Sequence, residues 1–296
     1  MGIGPLDDET VEKYRAAGEA LRTVLDEAAE MIEPGVRHLE VAEYAEDRID
    51  ELADGPAFPV NISVDEEASH ATPARDDESE FGEEMVCLDV GVHVDGYVAD
   101  AAVTVDYTDT PDMVAAAEEA LDAAIERVEP GAETGEVGAA IEEAIRSYDY
   151  TPVLNLSGHG VERWDAHTGP NVPNRGVDRG VEFEVGDVVA IEPFATDGRG
   201  KVSEGHDEEI YSLENERSVR SRAARQVLER ITDRYRTLPF AARWIEGQRA
   251  DVAIRRLKQQ DVLHGYPVLK EEEGRLVSQA EHTLIVTEDG CEVTTA

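Results

Sequence analysis

The sequence predicts a mixed α/β (α+β) fold with pseudo-two-fold symmetry and an inserted helical subdomain. Helix-like and strand-like segments alternate along 296 residues, of which 41% are hydrophobic, enough to bury a large core. The same order of segments occurs in both halves of the chain, which indicates two similar lobes. One helical segment of the second half has no counterpart in the first half and is therefore interpreted as an insertion.

The first half begins with two helical segments, and a strand follows them. Apolar residues recur at helical spacing in "VEKYRAAGEALRTVLDEAAEMIEPG", and Pro34-Gly35 ends this segment. "LEVAEYAEDRIDELADG" has the same pattern and ends at Gly55. The run "AFPVNISV" that follows is typical of a strand.

The internal repeat relates the segment from Ile32 to the segment from Val128. "IEPGVRHLEVAEYAEDRI" and "VEPGAETGEVGAAIEEAI" share seven identities at a constant offset of 96, and "MVCLDVG" later resembles "VVAIEPF". Abundant Glu and Ala could produce such identities by chance, but the shared order of segments favours duplication. Each half ends in an apolar strand with one carboxylate, Asp89 or Glu192, so a site on the pseudo-two-fold axis would take ligands from both halves.

Residues 197–274 interrupt the repeat. They contain a polar loop and two helical runs, "SRAARQVLERITDRY" and "QRADVAIRRLKQQ". We therefore predict a main domain of residues 1–196 and 275–296 and a helical insertion subdomain of residues 197–274. After the insertion the chain returns to strand in "RLVSQAEHTLIV".

The composition predicts a cytoplasmic protein with no membrane partner. The N-terminal segment is polar and acidic where a signal peptide would be apolar. No run of about 18 apolar residues is present, as a membrane-spanning helix would need. The two cysteines, Cys87 and Cys291, suggest no disulfide framework, which agrees with a reducing compartment.

The net charge predicts adaptation to high internal salt. The chain has 67 acidic and 27 basic residues, a formal net charge of −40. Such a charge destabilises a compact fold in dilute buffer, but at molar salt the screening length falls to about 3 Å. A disordered acidic chain is the alternative, and the regular apolar periodicity argues against it. We also expect a monomer, because this charge disfavours self-association.

Positive charge is concentrated in residues 215–258, which contain twelve Arg or Lys and five Asp or Glu. In the simpler interpretation, a basic subdomain packs on an acidic body. The alternative is a docking surface for RNA, such as the surface of the ribosome. Nothing in the sequence indicates a DNA partner.

The segment "CLDVGVHVDGYVAD" predicts a hairpin that carries two carboxylates. Asp95-Gly96 is a strong signal for a two-residue hairpin loop. With this loop Asp89 faces Ala102, and Asp100 lies diagonally beside Asp89 on the same face, with Cβ atoms less than about 7–8 Å apart. Two ionised carboxylates in a core cost several kcal/mol each. A cation between them removes this cost, so the hairpin is predicted to be half of a metal site.

Other polar residues on apolar strands could complete the site. "LNLSGHGVERWDAHTG" contains His159 and His167, and "VVAIEPF" contains Glu192. "SQAEHTLIV" contains Glu281 and His282, which are adjacent, so at most one faces the site. A single histidine of this kind is more often a core residue than a ligand. Together, one histidine and four carboxylates are typical of dinuclear hydrolases.

Several motifs carry a resemblance to a known family. The motifs "AFPVNISVDEEASHATP", "LDVGVHVDGYVAD", "LSGHGVERWDAHTG", "AIEPFAT", "TLPFAARW" and "AEHTLIV" closely resemble type II methionine aminopeptidases of the archaeal kind. The resemblance covers nearly the whole chain, and the charge suggests a halophilic source. It implies the pita-bread (creatinase/aminopeptidase) fold, with the helical insertion of type II members in the second half.

The resemblance implies two divalent metal ions per subunit, Fe²⁺, Mn²⁺, Co²⁺ or Zn²⁺, and the sequence does not distinguish among them. Asp89 would bind one ion, His159 and Glu192 the other, and Asp100 and Glu281 would bridge them. Glu192 would also be the general base for the attacking hydroxide.

The resemblance also implies how substrate is bound. His70 and His167 would contact the scissile peptide and stabilise its tetrahedral intermediate. The methionine pocket of the family matches Phe58, Tyr266 and Leu269. Ala166 stands where related enzymes often have a larger aliphatic residue, which predicts a roomier pocket with weaker discrimination for methionine.

The implied activity is removal of the initiator methionine from nascent polypeptides when the second residue is small. One alternative is an Xaa-Pro peptidase of the same fold, but such proteins usually have an additional N-terminal domain and lack the "TLPFAARW" insertion. The other is a non-catalytic RNA- or ribosome-binding relative, and such relatives have lost metal ligands that this chain retains.

Overall fold

The computed structural model describes residues 6–215, 217, 219–247 and 249–296. The helices are α1 Asp8–Ala29, α2 His38–Leu52, α3 Pro111–Ile125, α4 Thr134–Ser147, α5 Arg222–Arg234 and α6 Ala250–Lys258. The strands of the first half are β1 Gly55–Pro56, β2 Asn61–Val64, β3 Glu67–Ser69, β4 Met85–Val94 and β5 Tyr97–Asp106. Those of the second half are β6 Thr151–Pro152, β7 Ser157–Glu162, β8 Asp165–Pro173, β9 Val188–Ile191, β10 Phe194–Thr196, β11 Ser203–Glu204, β12 Ile210–Leu213, β13 Phe240–Ala241, β14 Leu263–Tyr266, β15 Leu269–Lys270, β16 Val277–Gln279, β17 His282–Val286 and β18 Cys291–Val293.

Helices α1 and α4 begin at residues whose side chains cap them. The Asp7 side chain accepts a hydrogen bond from the Thr10 backbone N–H at 2.8 Å, which satisfies one of the free donors at the start of α1. Glu133 and Glu136 form a reciprocal capping box at the start of α4. None of the described helices has the length and hydropathy of a membrane span.

Each lobe packs a pair of helices against antiparallel strands. In the first lobe α1 and α2 cover the sheet in which β4 pairs with β1, β2 and β5. In the second lobe α3 and α4 cover strands in the order β18-β17-β9-β7-β8, together with the sheet β16-β10-β6. A separate buried apolar cluster fills each lobe. The predicted mixed fold with two similar lobes is confirmed.

The repeat is visible in individual hydrogen bonds. Gly35 and Gly131, which the alignment equates, both adopt a positive φ after a helix, at 89° and 86°. Their backbone N–H groups donate to Phe81 at 2.7 Å and to Phe183 at 2.9 Å, respectively. Because glycine reaches this backbone region without steric cost, each Pro-Gly pair forms the same turn a few residues after the first helix of its lobe, which ends at Ala29 or Ile125 rather than at the Pro-Gly pair.

The predicted β4–β5 hairpin is present with the predicted register. Asp95 and Gly96 have φ values of 51° and 84°, as a two-residue loop with two positive φ angles requires. Asp89 pairs with Ala102, and Asp100 pairs with Gly91. The two carboxylates therefore lie diagonally on one face of the sheet.

Two predicted strands are shorter than the sequence suggested. In "AFPVNISV" only Asn61–Val64 is strand. "RLVSQAEHTLIV" is interrupted at Glu281: β16 pairs with β10, whereas β17 pairs with β9. Glu281 exchanges backbone hydrogen bonds with Ala102 instead. This interruption places Glu281 at the junction between the two lobes.

The segment 197–274 contains strands that the sequence analysis did not predict. Helices α5 and α6 pack against the small sheet β13-β12-β14 around an apolar cluster of their own. β15 pairs with both β11 and β3, which ties the segment to the first lobe. Strands of two to four residues are too short to show an alternating pattern, so the sequence shows only the helices. The boundaries of the insertion stay a prediction.

Candidate metal centre

The structure brings the predicted site residues together in one cavity of about 260 Å³. Its lining includes every residue that the sequence analysis proposed: Phe58, His70, Asp89, Asp100, His159, Ala166, His167, Glu192, Tyr266, Leu269 and Glu281. These residues lie as far as 223 positions apart in sequence, between Phe58 and Glu281. His282, the neighbour of Glu281, faces away, and its Nδ1 lies 2.9 Å from Thr295 Oγ1.

The potential ligands lie on strands of both lobes. Asp89 and Asp100 lie on β4 and β5 of the first lobe, and His159 lies on β7 of the second. Glu192 follows β9, and Glu281 lies at the break between β16 and β17. Since these strands meet at the lobe junction, their side chains converge from two sides.

Distances among these side chains are of the scale expected around a metal ion. His159 Nε2 lies 3.6 Å from Glu192 Oε1 and 3.8 Å from Asp100 Oδ2. One ligand atom each of Asp100, His159 and Glu281 lies within 4.8 Å of the others. All three residues are buried.

The carboxylates have no basic partner in the cavity. Asp89 Oδ1, Asp100 Oδ1 and Glu281 Oε1 are buried and accept no hydrogen bond from the part of the chain that the structure describes. No Arg or Lys is among the described residues that line the cavity. Buried carboxylates without donors are costly unless a cation compensates them, so this donor set fits divalent metal ions.

Burial and mutual repulsion change the protonation of the four carboxyls. Burial raises the pKa of Asp89 to about 7. Burial, and secondly the charge of neighbouring carboxylates, raises the pKa values of Asp100, Glu192 and Glu281 well above their ordinary range. Without a cation the site therefore retains protons at neutral pH.

The histidines of the cavity are neutral at pH 7. Burial lowers the pKa of His159 to about 3 and that of His70 to about 4, and it also lowers the pKa of His167. His159 Nδ1 lies 3.2 Å from the Gly160 carbonyl oxygen. A proton on Nδ1 that is donated to this oxygen leaves the Nε2 lone pair free toward the carboxylates, as a metal-binding histidine requires.

His70 and His167 flank the cluster on the cavity wall. The His167 ring stacks on the His159 ring with centroids 3.9 Å apart. The His70 ring meets the edge of Tyr266 at 5.4 Å, and its Nδ1 lies 3.3 Å from the Pro267 carbonyl oxygen. In the tautomer that donates to Pro267, His70 presents Nε2 as an acceptor.

The wall beside the carboxylates is apolar. It is formed by Phe58, Leu156, Ala166, Ile210, Pro239, Tyr266 and Leu269. Four of these residues belong to the segment 197–274, so the insertion contributes directly to the cavity. An apolar wall next to a charged cluster is the arrangement of a site that recognises an apolar side chain and acts on a polar bond beside it.

The sequence analysis missed residues that hold the ligands in place. Gln279 Nε2 donates to Glu281 Oε2 at 3.0 Å. Thr283 Oγ1 accepts from the Asp100 backbone N–H and donates to its carbonyl oxygen, both at 2.8 Å. Asn61 lines the cavity and pairs with Asp89 across the strands. In each case the available signal was a polar residue beside apolar residues in a short strand.

Comparisons with known proteins agree with this geometry. Residues 12–288 match metallopeptidase family M24. The methionine aminopeptidase of Archaeoglobus fulgidus is 51% identical over 291 residues, which cover 98% of this chain and 100% of that protein. The methionine aminopeptidase of Methanocaldococcus jannaschii is 45% identical over 293 residues, with coverages of 98% and 100%. The solved structure of a thermophilic Arx1 has a TM-score of 0.86 at 19% identity, over 98% of this chain and 91% of that chain, and supports the fold alone.

The resemblance and the pita-bread fold predicted from the sequence are therefore confirmed. The family match spans both lobes and the insertion, and the relatives are aligned over their full lengths. The chain belongs to metallopeptidase family M24 and, within that family, to the archaeal methionine aminopeptidases.

Proposed function

We propose that this methionine aminopeptidase removes the initiator methionine from nascent polypeptides in the cytoplasm when the second residue is small, and that it does so as a monomer with two divalent metal ions. The observation that carries the proposal is the cavity itself. Four carboxyls, of which Asp100 and Glu281 are buried, and a neutral histidine occupy one side, and an apolar wall adjoins them. This combination suits hydrolysis of a peptide bond next to an apolar side chain.

Asp89, Asp100, His159, Glu192 and Glu281 are the proposed metal ligands. The carboxylate oxygens without donors and the Nε2 lone pair of His159 support this assignment. Oxygen ligands with one imidazole accept Fe²⁺, Mn²⁺, Co²⁺ or Zn²⁺. When bound, such ions polarise a carbonyl group and lower the pKa of water toward neutrality.

The remaining chemistry is assigned to side chains of the cavity. Glu192 is the proposed general base, because its carboxylate lines the cavity beside the other proposed ligands, with Oε1 3.6 Å from His159 Nε2. His70 presents an acceptor to the amide N–H of the scissile bond when its Nδ1 proton is donated to Pro267. His167, whose ring stacks on that of His159, is the proposed donor to the carbonyl oxygen of the same bond.

The methionine side chain is assigned to the apolar wall. Phe58, Tyr266 and Leu269 supply aromatic and aliphatic surface, and Ala166 leaves room beside His167. A thioether is flexible and polarisable, and it packs well against such surfaces.

One assay tests the activity against its rivals. Hydrolysis of Met-Ala-Ser and of an Xaa-Pro dipeptide is measured with Mn²⁺, Co²⁺ or Fe²⁺ in molar KCl. We expect release of methionine, loss of this activity in Glu281→Gln, and retention in Glu273→Gln, which alters an exposed acid outside the cavity. Turnover of only the proline dipeptide overturns the proposal. Turnover of neither peptide favours the non-catalytic relative.

The basic segment 215–258 is the proposed docking surface for the ribosome. Arg220, Arg222, Arg255 and Arg256 are exposed. Among the described residues, none of these four arginines forms an ion pair. Uncompensated positive charge on a protein of net charge −40 favours an anionic partner such as RNA.

Charge reversal tests the docking surface. Changing the four arginines to glutamate should reduce co-sedimentation with ribosomes, whereas changing the exposed Arg175 and Arg179 of the second lobe should not. Unchanged co-sedimentation of the first variant refutes docking through this surface.

A further inference from the structure

Arg243, in the motif "TLPFAARW", is a buried charge outside the metal centre. Its side chain is 4% exposed, and that of its partner Glu46 on α2 is 12% exposed. Arg243 belongs to the segment 197–274, whereas Glu46 belongs to the first lobe. The pair therefore joins the insertion to the body of the protein.

The guanidinium of Arg243 also reaches the loop that carries His70. Nη1 donates to Thr72 Oγ1 at 2.8 Å and to the Pro73 carbonyl oxygen at 2.9 Å, while Nη2 donates to Glu46. Glu46 is oriented in turn by Trp244, whose Nε1 donates to Oε2 at 2.7 Å. A single planar group thus links three segments that are distant in sequence.

Stability alone does not account for this arrangement. Burial raises the pKa of the Glu46 carboxyl, and the Arg243 charge opposes that rise, so much of the attraction offsets desolvation. A well-packed apolar pair is often as stabilising as a buried ion pair. What an apolar pair lacks is the fixed direction of the guanidinium donors, which defines where Thr72 and Pro73 lie.

The loop has little other freedom once Thr72 is held. Thr72 Oγ1 donates to the Val60 carbonyl oxygen at 2.7 Å, and the Ala71 carbonyl oxygen accepts from the Ile62 N–H at 2.7 Å. His70 itself has a φ of 65°, in the left-handed region that residues other than glycine seldom adopt. Such a conformation persists only when the surrounding contacts enforce it.

We propose that Arg243, oriented by Glu46, is a positioning residue that holds the 70–73 loop and thereby sets the direction of the His70 imidazole in the cavity. The inference rests on the proposed role of His70 at the scissile bond. The insertion then acts on the site from two sides: in the Nδ1–H tautomer of His70 the Pro267 carbonyl oxygen accepts the Nδ1–H hydrogen bond, and Arg243 fixes the backbone beside His70.

Arg243→Lys tests this inference. Lysine keeps the charge beside Glu46 but loses the planar fork that reaches Thr72 and Pro73. Because small displacements of catalytic groups are costly, we expect kcat for Met-Ala-Ser to fall about tenfold or more while KM stays within about twofold. Metal content and thermal midpoint should change little.

Arg234→Lys is the matched control. Arg234 also joins the insertion to α2, through Asp50 Oδ2 at 3.3 Å, but among the described residues it donates no hydrogen bond to the loop. We expect kinetics like those of the unmodified protein. Should Arg243→Lys fail to fold, Thr72→Val removes the hydroxyl with little change in shape and should lower kcat in the same way.

Two readouts separate positioning from a general structural effect. In a His70→Ala background the loss caused by Arg243→Lys should vanish, because the group that it positions is gone. In histidine NMR spectra the His70 ring resonance should shift in Arg243→Lys and not in Arg234→Lys.

The outcomes distinguish this inference from the proposed function. An equal loss from Arg243→Lys with and without His70, or an unmoved His70 resonance, overturns the positioning role while the peptidase assignment stands. Full activity of His70→Ala overturns the proposed role of His70, and the NMR comparison then decides alone whether Arg243 positions the loop.

Discussion

Gly91 has no side chain and so leaves the space that the Phe58 ring occupies behind the proposed methionine pocket. It lies on β4 opposite Asp100. A Cβ atom added at Gly91 would lie 2.2, 2.5 and 2.7 Å from three ring atoms of Phe58, namely Cε1, Cδ1 and Cζ. Since carbon atoms in contact are about 3.5–4.0 Å apart, the ring in Gly91→Ala must move by at least about 1.3 Å.

Because Phe58 lines the cavity, the displaced ring can move into that space. We therefore expect Gly91→Ala to raise KM for Met-Ala-Ser by about tenfold, which corresponds to about 1.4 kcal/mol of lost binding free energy. kcat and metal content should change little, because the substitution does not displace the strands that carry the carboxylates. Overpacking should also lower the free energy of unfolding by about 1–3 kcal/mol.

The assay is steady-state hydrolysis of Met-Ala-Ser with two further variants. In a Phe58→Leu background, adding Gly91→Ala should raise KM much less than it does beside Phe58, because leucine leaves room for the new methyl group. Gly82→Ala is the control, since its added Cβ makes only an ordinary contact at 3.7 Å. An unchanged KM in Gly91→Ala, or an equal rise in KM with phenylalanine and with leucine at position 58, refutes the reasoning.

Three further predictions concern metal, specificity and salt. Chelation of the metal ions should abolish activity. Mn²⁺ binding at pH 7 should release protons, and the affinity for Mn²⁺ should increase as pH rises. The reason is that burial raises the pKa of Asp89 to about 7, whereas metal ligands must be deprotonated. Calorimetric heats that do not depend on the ionisation enthalpy of the buffer would contradict this. Ala166→Leu should increase the kcat/KM preference for methionine over norleucine, because it narrows the cavity beside His167. An unchanged ratio of the two kcat/KM values would refute a role of Ala166 in the methionine pocket. Transfer from molar KCl to dilute buffer should reduce helicity and activity, since a net charge of −40 is then poorly screened. A full circular dichroism signal and full turnover in dilute buffer would argue against salt adaptation.

Local patterns explain which parts of the fold were predictable. The Asp95-Gly96 loop fixes the register of β4 and β5, so the diagonal placement of Asp89 and Asp100 follows from sequence alone. Pro34-Gly35 and Pro130-Gly131 form equivalent turns after the first helix of each lobe, because glycine adopts the required positive φ without steric cost. By contrast, β12, β13 and β14 of the insertion are too short to be predicted, because they form only by pairing with partners distant in the chain.

The sequence by itself determined the lobes, the hairpin and the types of ligand, since these depend on periodicity, turn chemistry and motifs. Only the tertiary structure decided that Glu281 lies at a break between strands, that residues from the insertion form the apolar wall, and that Arg243 reaches the loop of His70. These are contacts between segments separated by up to about 200 positions, such as Glu46 and Arg243. Such contacts arise from how the lobes and the insertion pack, and local sequence patterns do not encode that packing.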